Sequence, residues 1–504
     1  MRLSELASAY VKAHVIGDAV IEFLDITTDS RRVQPGSLFI ALRGYTVDGH
    51  AYVQDAVRAG AVAVMVEMPF DSLNCAQLVV PDTRLASAVA AAWFYNHPSE
   101  RLSVIGVTGT NGKTTTTHLI ERVLRDAGHQ TGLLGTIGKR IGDVTVDVAN
   151  TTPEAVELQS VLAEMVAADC QYAVMEVSSH ALEERRVAGT RFRTAVFTNL
   201  TQDHLDFHGT MDNYRAAKGK LFSRLGNTYA ADPRLMERAV LNADDAATAY
   251  LLAQSVHESI TYGIEQSADV RASAVNVQAG GVSFHVALFT GEEADVTLQL
   301  TGRFNVYNAL AAIAVGAIEG LPLARMVASL ESVAGIPGRL ERVVAGQSFT
   351  VLVDYSHTPD SLENALQTVR EFATGRVLCV VGCGGDRDRG KRPLMAEVAA
   401  RYSDLTLLTS DNPRTEDPVR ILDDMEAGVK GKSLRPGGRY QRITDRREAI
   451  EKAVAEAKGD DVILIAGKGH ETYQIIGRVK HHFDDREVAA QALVSLREDG
   501  HSAG

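Results

Sequence analysis

The sequence predicts an α/β protein of three domains, two of them built on parallel sheets. Three observations predict it. From residue 102 onward, short apolar segments of strand length alternate with helical patterns. A glycine-rich turn at 106–115 joins one such strand directly to a helix. The alternation stops at Gly335-Ile336-Pro337-Gly338 and then restarts. The 504 residues also leave room for roughly three domains at about 150 residues each.

Taken in order, residues 1–99 mix short helical and strand patterns. They end at Asn96-His97-Pro98-Ser99, where Pro98 disfavours helix at the residue before it. Residues 102–107 read as a buried strand, followed by a helix with Leu119, Ile120, Val123 and Leu124 on its apolar face. Residues 173–177 and 195–199 read as further strands. Beyond Pro337 the strands are 350–354, 377–382, 405–410 and 462–466, with helical patterns that include 361–372 and 391–402. This second series reads as a doubly wound sheet.

Hydrophobic residues at 45% and charged residues at 23% are ordinary for a globular protein. The net charge of −13 argues against bulk binding to nucleic acid or an anionic membrane, which need a basic surface. It leaves open a small anionic substrate in a locally basic pocket. Four cysteines are too few for a disulfide scaffold and point to a reducing compartment. Cys379 and Cys383 read as buried strand thiols rather than a redox or metal pair. The first residues lack a signal-peptide core, and apolar stretches such as 309–318 fall short of the roughly 18 residues of a membrane span. The expectation is a cytoplasmic, monomeric protein acting on small molecules.

The glycine-rich turn carries the strongest chemical signal. In Gly106-Val107-Thr108-Gly109-Thr110-Asn111-Gly112-Lys113-Thr114-Thr115, backbone N–H groups can converge on phosphate oxygens. Lys113 would reach the β- and γ-phosphates, and the Thr114 hydroxyl would ligate Mg²⁺. The usual motif has glycine where Val107 stands, so this is a variant. Glu176 closes a predicted strand and His204 lies in Asn199-Leu200-Thr201-Gln202-Asp203-His204. Both are placed where α/β sheets bind ligands. His204 and His208 lie four apart without a third zinc ligand of convincing spacing, so His208 reads as structural.

Gly109-Thr110-Asn111-Gly112-Lys113-Thr114 resembles the ATP loop of the Mur ligase superfamily, ATP-dependent amide-forming enzymes that also include folylpolyglutamate synthetases and cyanophycin synthetase. The resemblance implies that Glu176 and His204 hold magnesium. It also implies that Lys218, in Ala216-Ala217-Lys218, is carbamylated to give a further carboxylate-like ligand. It implies asparagine contacts to ATP from Asn305 or Asn308, either of which is equally a candidate helix cap. Arg339 would meet phosphate, and Asp354 would meet ribose across a cleft that domain closure completes. Ser356 stands where the family usually has alanine.

Three stretches narrow the substrate. The string from Thr28 to Gly44, with Ser30, resembles the UDP-binding domain of tripeptide-forming Mur ligases. Asn150, Thr151, Thr152, Ser178 and Arg186 match positions that hold the muramoyl dipeptide there; no role is carried onto Glu184. Asp411-Asn412-Pro413-Arg414 resembles the string in ligases that add meso-diaminopimelate rather than lysine. The physics agrees, because the distal head of diaminopimelate carries a carboxylate that Arg414 can bind bidentately, while Asp411 or Asn412 supplies acceptors. Arg387, Gly467 and Glu471 resemble the rest of that pocket.

The resemblance thus implies an N-terminal α/β UDP-binding domain (1–99), a central P-loop mononucleotide-binding parallel-sheet domain (100–336) and a C-terminal Rossmann-like doubly wound domain (337–504). The implied activity adds meso-2,6-diaminopimelate to UDP-N-acetylmuramoyl-L-alanyl-D-glutamate through an acyl phosphate, with ATP as substrate and Mg²⁺ as cofactor, in peptidoglycan precursor synthesis. The alternatives are a lysine-adding homologue, a folylpolyglutamate synthetase-like ligase, and a nucleotide-binding regulatory protein without chemistry.

Overall fold

The structure, a computed structural model, describes residues 1–44, 47–146, 148, 150–226, 236–255, 258–278, 280–431 and 435–501, the last four of these by backbone alone. The chain divides into two compact units. Met1–Leu200, His204–Thr261 and Ala314–Glu319 form one, and Thr201–Asp203, Tyr262–Ile313 and Gly320–Gly504 form the other.

The first unit begins with a five-stranded sheet in the order His14–Ile16, Ala76–Val79, Ala63–Val66, Ser37–Ile40, Asp25–Thr27. Only the first strand is antiparallel to its neighbour. Its central strands are apolar on both faces because both are covered. Leu38, Met65 and Leu78 pack with Ala86 and Ala90 of the helix Thr83–Phe94. A second run of strands is parallel in the order Arg238–Asn242, Thr194–Phe197, Ser103–Thr108, Tyr172–Glu176, Thr131–Gly135. Its far side continues as the antiparallel strands Gly138–Ile141 and Val144–Val146. Arg84 pairs with Glu154, and Arg185 with Asp82. These ion pairs join the first hundred residues to the segment behind the glycine-rich loop, within one unit.

The second unit contains the antiparallel strands Val270–Gln278, Gly281–Leu288 and Glu293–Leu298. It also contains a sheet ordered Glu341–Arg342, Thr350–Asp354, Val462–Ala466, Val377–Cys383, Leu405–Ser410, Arg439–Arg442. All its pairings are parallel except the first. Helices cover both faces, with Leu366 and Met395 in one core and Ile450 and Leu493 in the other. The C-terminal strand ends at Asp354, Cys383, Ser410 and Ala466 therefore line one edge, from which the motif loops leave.

The strands 350–354, 405–410 and 462–466 and the helix 391–402 form where the sequence places them. The helix expected at 361–372 starts at Pro359, because Thr358 caps it and proline suits a first helical turn. The antiparallel strands between 270 and 298 were not anticipated. They alternate more and less buried side chains instead of forming apolar runs.

Candidate active site

The glycine-rich loop follows from its glycines. Gly112 caps the helix Lys113–Asp126 at φ 84°, a left-handed conformation that glycine adopts without a Cβ penalty. A Cβ on Gly109 would lie 1.9 Å from the Thr198 hydroxyl oxygen, so only glycine lets the loop close on the end of the strand Thr194–Phe197. There, the Thr110 N–H donates to the Asn199 carbonyl at 2.9 Å, and the Asn111 N–H donates to Asn199 Oδ1 at 2.9 Å. The Thr198 hydroxyl donates to the Asn111 carbonyl at 2.6 Å.

Two lysines meet this loop. Lys113 Nζ donates to the carbonyls of Gly109 at 3.0 Å and Thr110 at 2.7 Å. Lys218, buried on the helix Met211–Phe222, donates to the same Gly109 carbonyl at 2.8 Å. Its ammonium lies 4.4 Å from the centre of the Tyr214 ring, whose hydroxyl is 3.2 Å from Thr110 Oγ1. Thr114 and Thr115 are buried in the first helical turn.

Glu176 lies beside Val107 in the parallel register. Its carboxylate accepts from the Thr136 N–H at 2.8 Å and the Thr136 hydroxyl at 3.1 Å. Burial holds the His118 imidazole below its ordinary range, with the Glu176 charge working against the shift. His204 adopts a left-handed backbone, with its ring 4.7 Å from that of His180 and 6.2 Å from that of Tyr214. His208 packs on Tyr214 at 5.0 Å and lies 2.9 Å from the Ser179 hydroxyl, which accounts for it structurally.

Among the dipeptide-binding candidates, Thr152 is the hub. Its hydroxyl donates to the Glu176 carbonyl at 2.9 Å and accepts the Ser178 N–H at 3.0 Å. Arg186 donates to the Thr152 carbonyl at 2.9 Å and pairs with Glu184 and Glu154. Thr151 lies 3.0 Å from the Thr136 hydroxyl. Asn150 is exposed, and Ser30 stands apart in the turn Ser30–Arg32, capped by Asp29.

In the second unit, Asn305 and Asn308 are buried inside the helix Arg303–Ile318, so neither is its N-cap. Asn305 Nδ2 donates to the Thr301 carbonyl at 2.8 Å and Asn308 Nδ2 to Asn305 Oδ1 at 3.0 Å. Asp354 accepts the Leu340 N–H at 2.7 Å and the Ser356 N–H at 2.9 Å, fixing the turn that carries Arg339. Burial raises its carboxyl and the Arg339 charge opposes the rise. Arg339 lies over the Tyr355 ring at 5.4 Å.

The amine-pocket candidates gather after the strands Leu405–Ser410 and Val462–Ala466. Asn412 Nδ2 donates to Glu471 at 3.0 Å, while its Oδ1 accepts from Lys468 at 3.3 Å and from the Ile475 N–H at 2.9 Å. The buried Lys468 also pairs with Glu471 at 3.0 Å and Asp411 at 3.8 Å. Asp411 Oδ1 is buried without a hydrogen-bond partner among the described residues, and Gly467 lies against the other carboxylate oxygen. Arg414, left-handed at φ 51°, donates Nη1 to the Gly385 carbonyl at 2.8 Å. Arg387 is exposed on the adjoining loop. Cys379 and Cys383 are buried strand thiols, both pushed up to about 12 by burial.

Sequence reasoning gave no role to Tyr214, Asn199 or Lys468. Tyr214 was within reach of it, being one helical turn before Lys218. Lys468 directly follows Gly467, a residue the sequence places in that pocket.

No cluster of three His, Cys, Asp or Glu side chains able to hold a metal ion occurs among the described residues. No helix among these residues is long and apolar enough to cross a membrane.

Family models match three consecutive stretches: the Mur ligase family catalytic domain over 22–95, the Mur ligase middle domain over 107–316 and the Mur ligase glutamate ligase domain over 338–469. The chain is 49% identical over 493 residues to a UDP-N-acetylmuramoyl-L-alanyl-D-glutamate–2,6-diaminopimelate ligase of Bacillus cereus, covering 98% of each. It is 52% identical over 476 residues to the ligase of that name from Geobacillus thermodenitrificans, covering 94% of this chain and 96% of that one. A solved structure of a ligase of that name aligns at TM-score 0.68 and 33% identity, covering 99% of both chains. The MurF ligase of Thermotoga maritima in complex with ADP aligns at 0.61 and 17% identity over 96% of this chain and 99% of that one, a likeness of fold alone.

Proposed function

The chain belongs to the Mur ligase family, and on that premise we propose that it is an ATP-dependent ligase joining meso-2,6-diaminopimelate to UDP-N-acetylmuramoyl-L-alanyl-D-glutamate in peptidoglycan synthesis. The observation that carries the choice of amine is the loop Asp411 to Arg414. Arg414 uses one nitrogen to hold Gly385, and a guanidinium has five N–H groups, so a face remains for the distal carboxylate. Asp411 Oδ1, 3.8 Å from the Lys468 ammonium and without a hydrogen bond among the described residues, retains capacity to accept from the ammonium of the diamine.

The chemistry follows from the loop in the first unit. Carboxylate oxygen is a poor leaving group, so the D-glutamyl side-chain carboxylate must first be phosphorylated. Lys113 exchanges its carbonyl partners for the β- and γ-phosphates and neutralises charge as the γ-phosphoryl group leaves ADP for the carboxylate. The loop N–H groups and the helix N-terminus at Lys113 cradle the phosphates. The free amine of diaminopimelate then attacks the acyl carbon, and the tetrahedral intermediate expels phosphate to leave the amide. Magnesium, when bound, supplies charge neutralisation between phosphate and carboxylate. Thr114, Glu176, His204 and a carbamylated Lys218 are the residues we assign to it.

We assign Gly109 to Thr115, Asn305, Asn308, Arg339 and Asp354 to the nucleotide. Ser30, Asn150, Thr151, Thr152, Ser178 and Arg186 go to the UDP-muramoyl dipeptide. Arg387, Asp411, Asn412, Arg414, Gly467 and Glu471 go to the diamine. The modules are read as 1–99, 100–336 and 337–504, in a monomer. A cytoplasmic setting is supported by four free cysteines.

The deciding experiment measures ADP release and product mass with the UDP-muramoyl dipeptide plus diaminopimelate or lysine. The expected result is a tripeptide product with diaminopimelate and little with lysine. Equal or better use of lysine overturns the choice of amine, and no ADP release with either overturns the activity.

A further inference from the structure

Arg392, in the first turn of the helix Lys391–Tyr402, has a side chain with no exposed surface. Its guanidinium grips Glu416 with both terminal nitrogens, at 2.8 Å to Oε1 and 3.0 Å to Oε2. The same group donates to Asp424 at 2.8 Å and to the Gly384 carbonyl at 3.2 Å. It therefore touches both loops of the amine pocket at once.

Those loops are laced together around it. The Asp386 N–H donates to Glu416, and Asp386 in turn accepts the Thr415 N–H at 3.1 Å and the Thr415 hydroxyl at 2.9 Å. The Gly385 N–H donates to the Asn412 carbonyl at 2.9 Å. The lacing holds Asp386 at φ 53° and Arg414 at φ 51°, left-handed conformations that persist in such residues only where the surroundings impose them. One of these residues is Arg414 itself, and the other directly precedes Arg387.

We propose that Arg392 is a positioning residue for amino-acid selectivity: through Glu416 and Gly384 it sets the two loops that aim Arg387 and Arg414 at the distal carboxylate of the diamine. The proposal rests on the reading of this pocket given above. It requires the planar fork of arginine, because a lysine ammonium is a point charge that cannot grip Glu416 with two parallel bonds. Arg389, which also pairs with Asp424, lies at the surface and cannot replace it.

The test compares wild type, Arg392→Lys, Arg392→Met and Glu416→Gln in the full chain, with KM and kcat measured for diaminopimelate, lysine, ATP and the UDP-muramoyl dipeptide. For Arg392→Lys and Glu416→Gln, KM for diaminopimelate should rise about tenfold or more and the preference over lysine should shrink, a misplacement effect. KM for ATP and for the dipeptide should stay within about twofold, since neither is recognised by these loops. If Arg392→Met does not fold, the other two variants carry the comparison. Unchanged diaminopimelate KM in a folded variant, or an equal loss toward all three substrates, overturns the positioning role. Wild-type protein that turns over neither amine overturns the functional reading, and this role with it.

Discussion

Lys113 and Lys218 place two ammonium groups on one oxygen, the carbonyl of Gly109, at 3.0 and 2.8 Å. In the ligase reading, an incoming phosphate draws Lys113 away from that shared carbonyl, and carbamylation would take the positive charge off Lys218. The two lysines then play separate parts. Lys218→Arg keeps the charge but removes the amine that carbamylation needs, and the buried site beside Tyr214 leaves little room for a guanidinium. ADP release by this variant should fall by about 100-fold or more, the scale seen when a group stabilising transition-state charge is lost. Turnover near the wild-type rate would remove Lys218 from the site. Gly109→Ala tests the loop itself. Its Cβ would meet the Thr198 hydroxyl at 1.9 Å, so nucleotide binding measured by calorimetry should weaken sharply while diamine binding is spared. The loop string announced Lys113, because the chemistry is written into consecutive residues. It did not announce that Lys218 would share its carbonyl, because that contact spans 109 residues and exists only once the fold has formed.

Strands and helices were the most legible part of the chain wherever burial made them uniformly apolar, as at Leu405–Ser410 and Val462–Ala466. Glu293–Leu298 was not legible, since it carries charged residues on its exposed face and no apolar run. The braces between elements were equally hidden. Arg446, which opens the helix Arg446–Glu456, is fully buried against Asp485, which opens the C-terminal helix Asp485–His501. It also donates to the Ala466 carbonyl at 3.0 Å and the Ser410 carbonyl at 3.4 Å, the last residues of two sheet strands. One guanidinium thus ties two helices to two strand ends directly before Asp411 and Gly467. Removing either partner leaves a buried charge without its pair, which costs about 3–5 kcal/mol. Arg446→Met and Asp485→Asn should each lower the urea midpoint accordingly. The double variant Arg446→Met/Asp485→Leu should recover part of the loss, because no charge is then stranded. A double variant as unstable as the sum of the singles would show that the bonds to Ser410 and Ala466, rather than the ion pair, hold this corner.

Across the whole molecule, the net charge of −13 excluded a basic binding surface but said little about where acid would act. The structure shows two kinds of group that respond to acid. In the second unit, hydrogen bonds from Arg376, Arg370 and Arg486 help hold Asp461, Asp404 and Asp484 below their ordinary range against the burial that raises them, and Arg392 does so for Glu416. Folded protein therefore binds fewer protons than unfolded protein just below the ordinary carboxylate range. The associated stability is present above about pH 4.5 and is lost as the pH falls further. Asp354 and Glu371, both raised by burial, contribute in the opposite sense. Burial also lowers the imidazoles of His118 and His208 in the first unit and of His357 in the second, so stability in both is present above the ordinary histidine range and is lost as the pH drops through about 6.5. Both units should thus begin to weaken at a higher pH than their carboxylates alone would set. The single tryptophan, Trp93, lies in the first unit, so its fluorescence reports that unit while circular dichroism follows both. Between pH 7.5 and about 5.5 the fluorescence urea midpoint should fall, and His208→Gln should flatten the fluorescence trend. A further loss, seen by dichroism, should come on additional acidification, as the arginine-paired carboxylates take up protons. A fluorescence midpoint that stays level until the carboxylate range would show that the buried imidazoles do not govern the acid stability of the nucleotide-binding half.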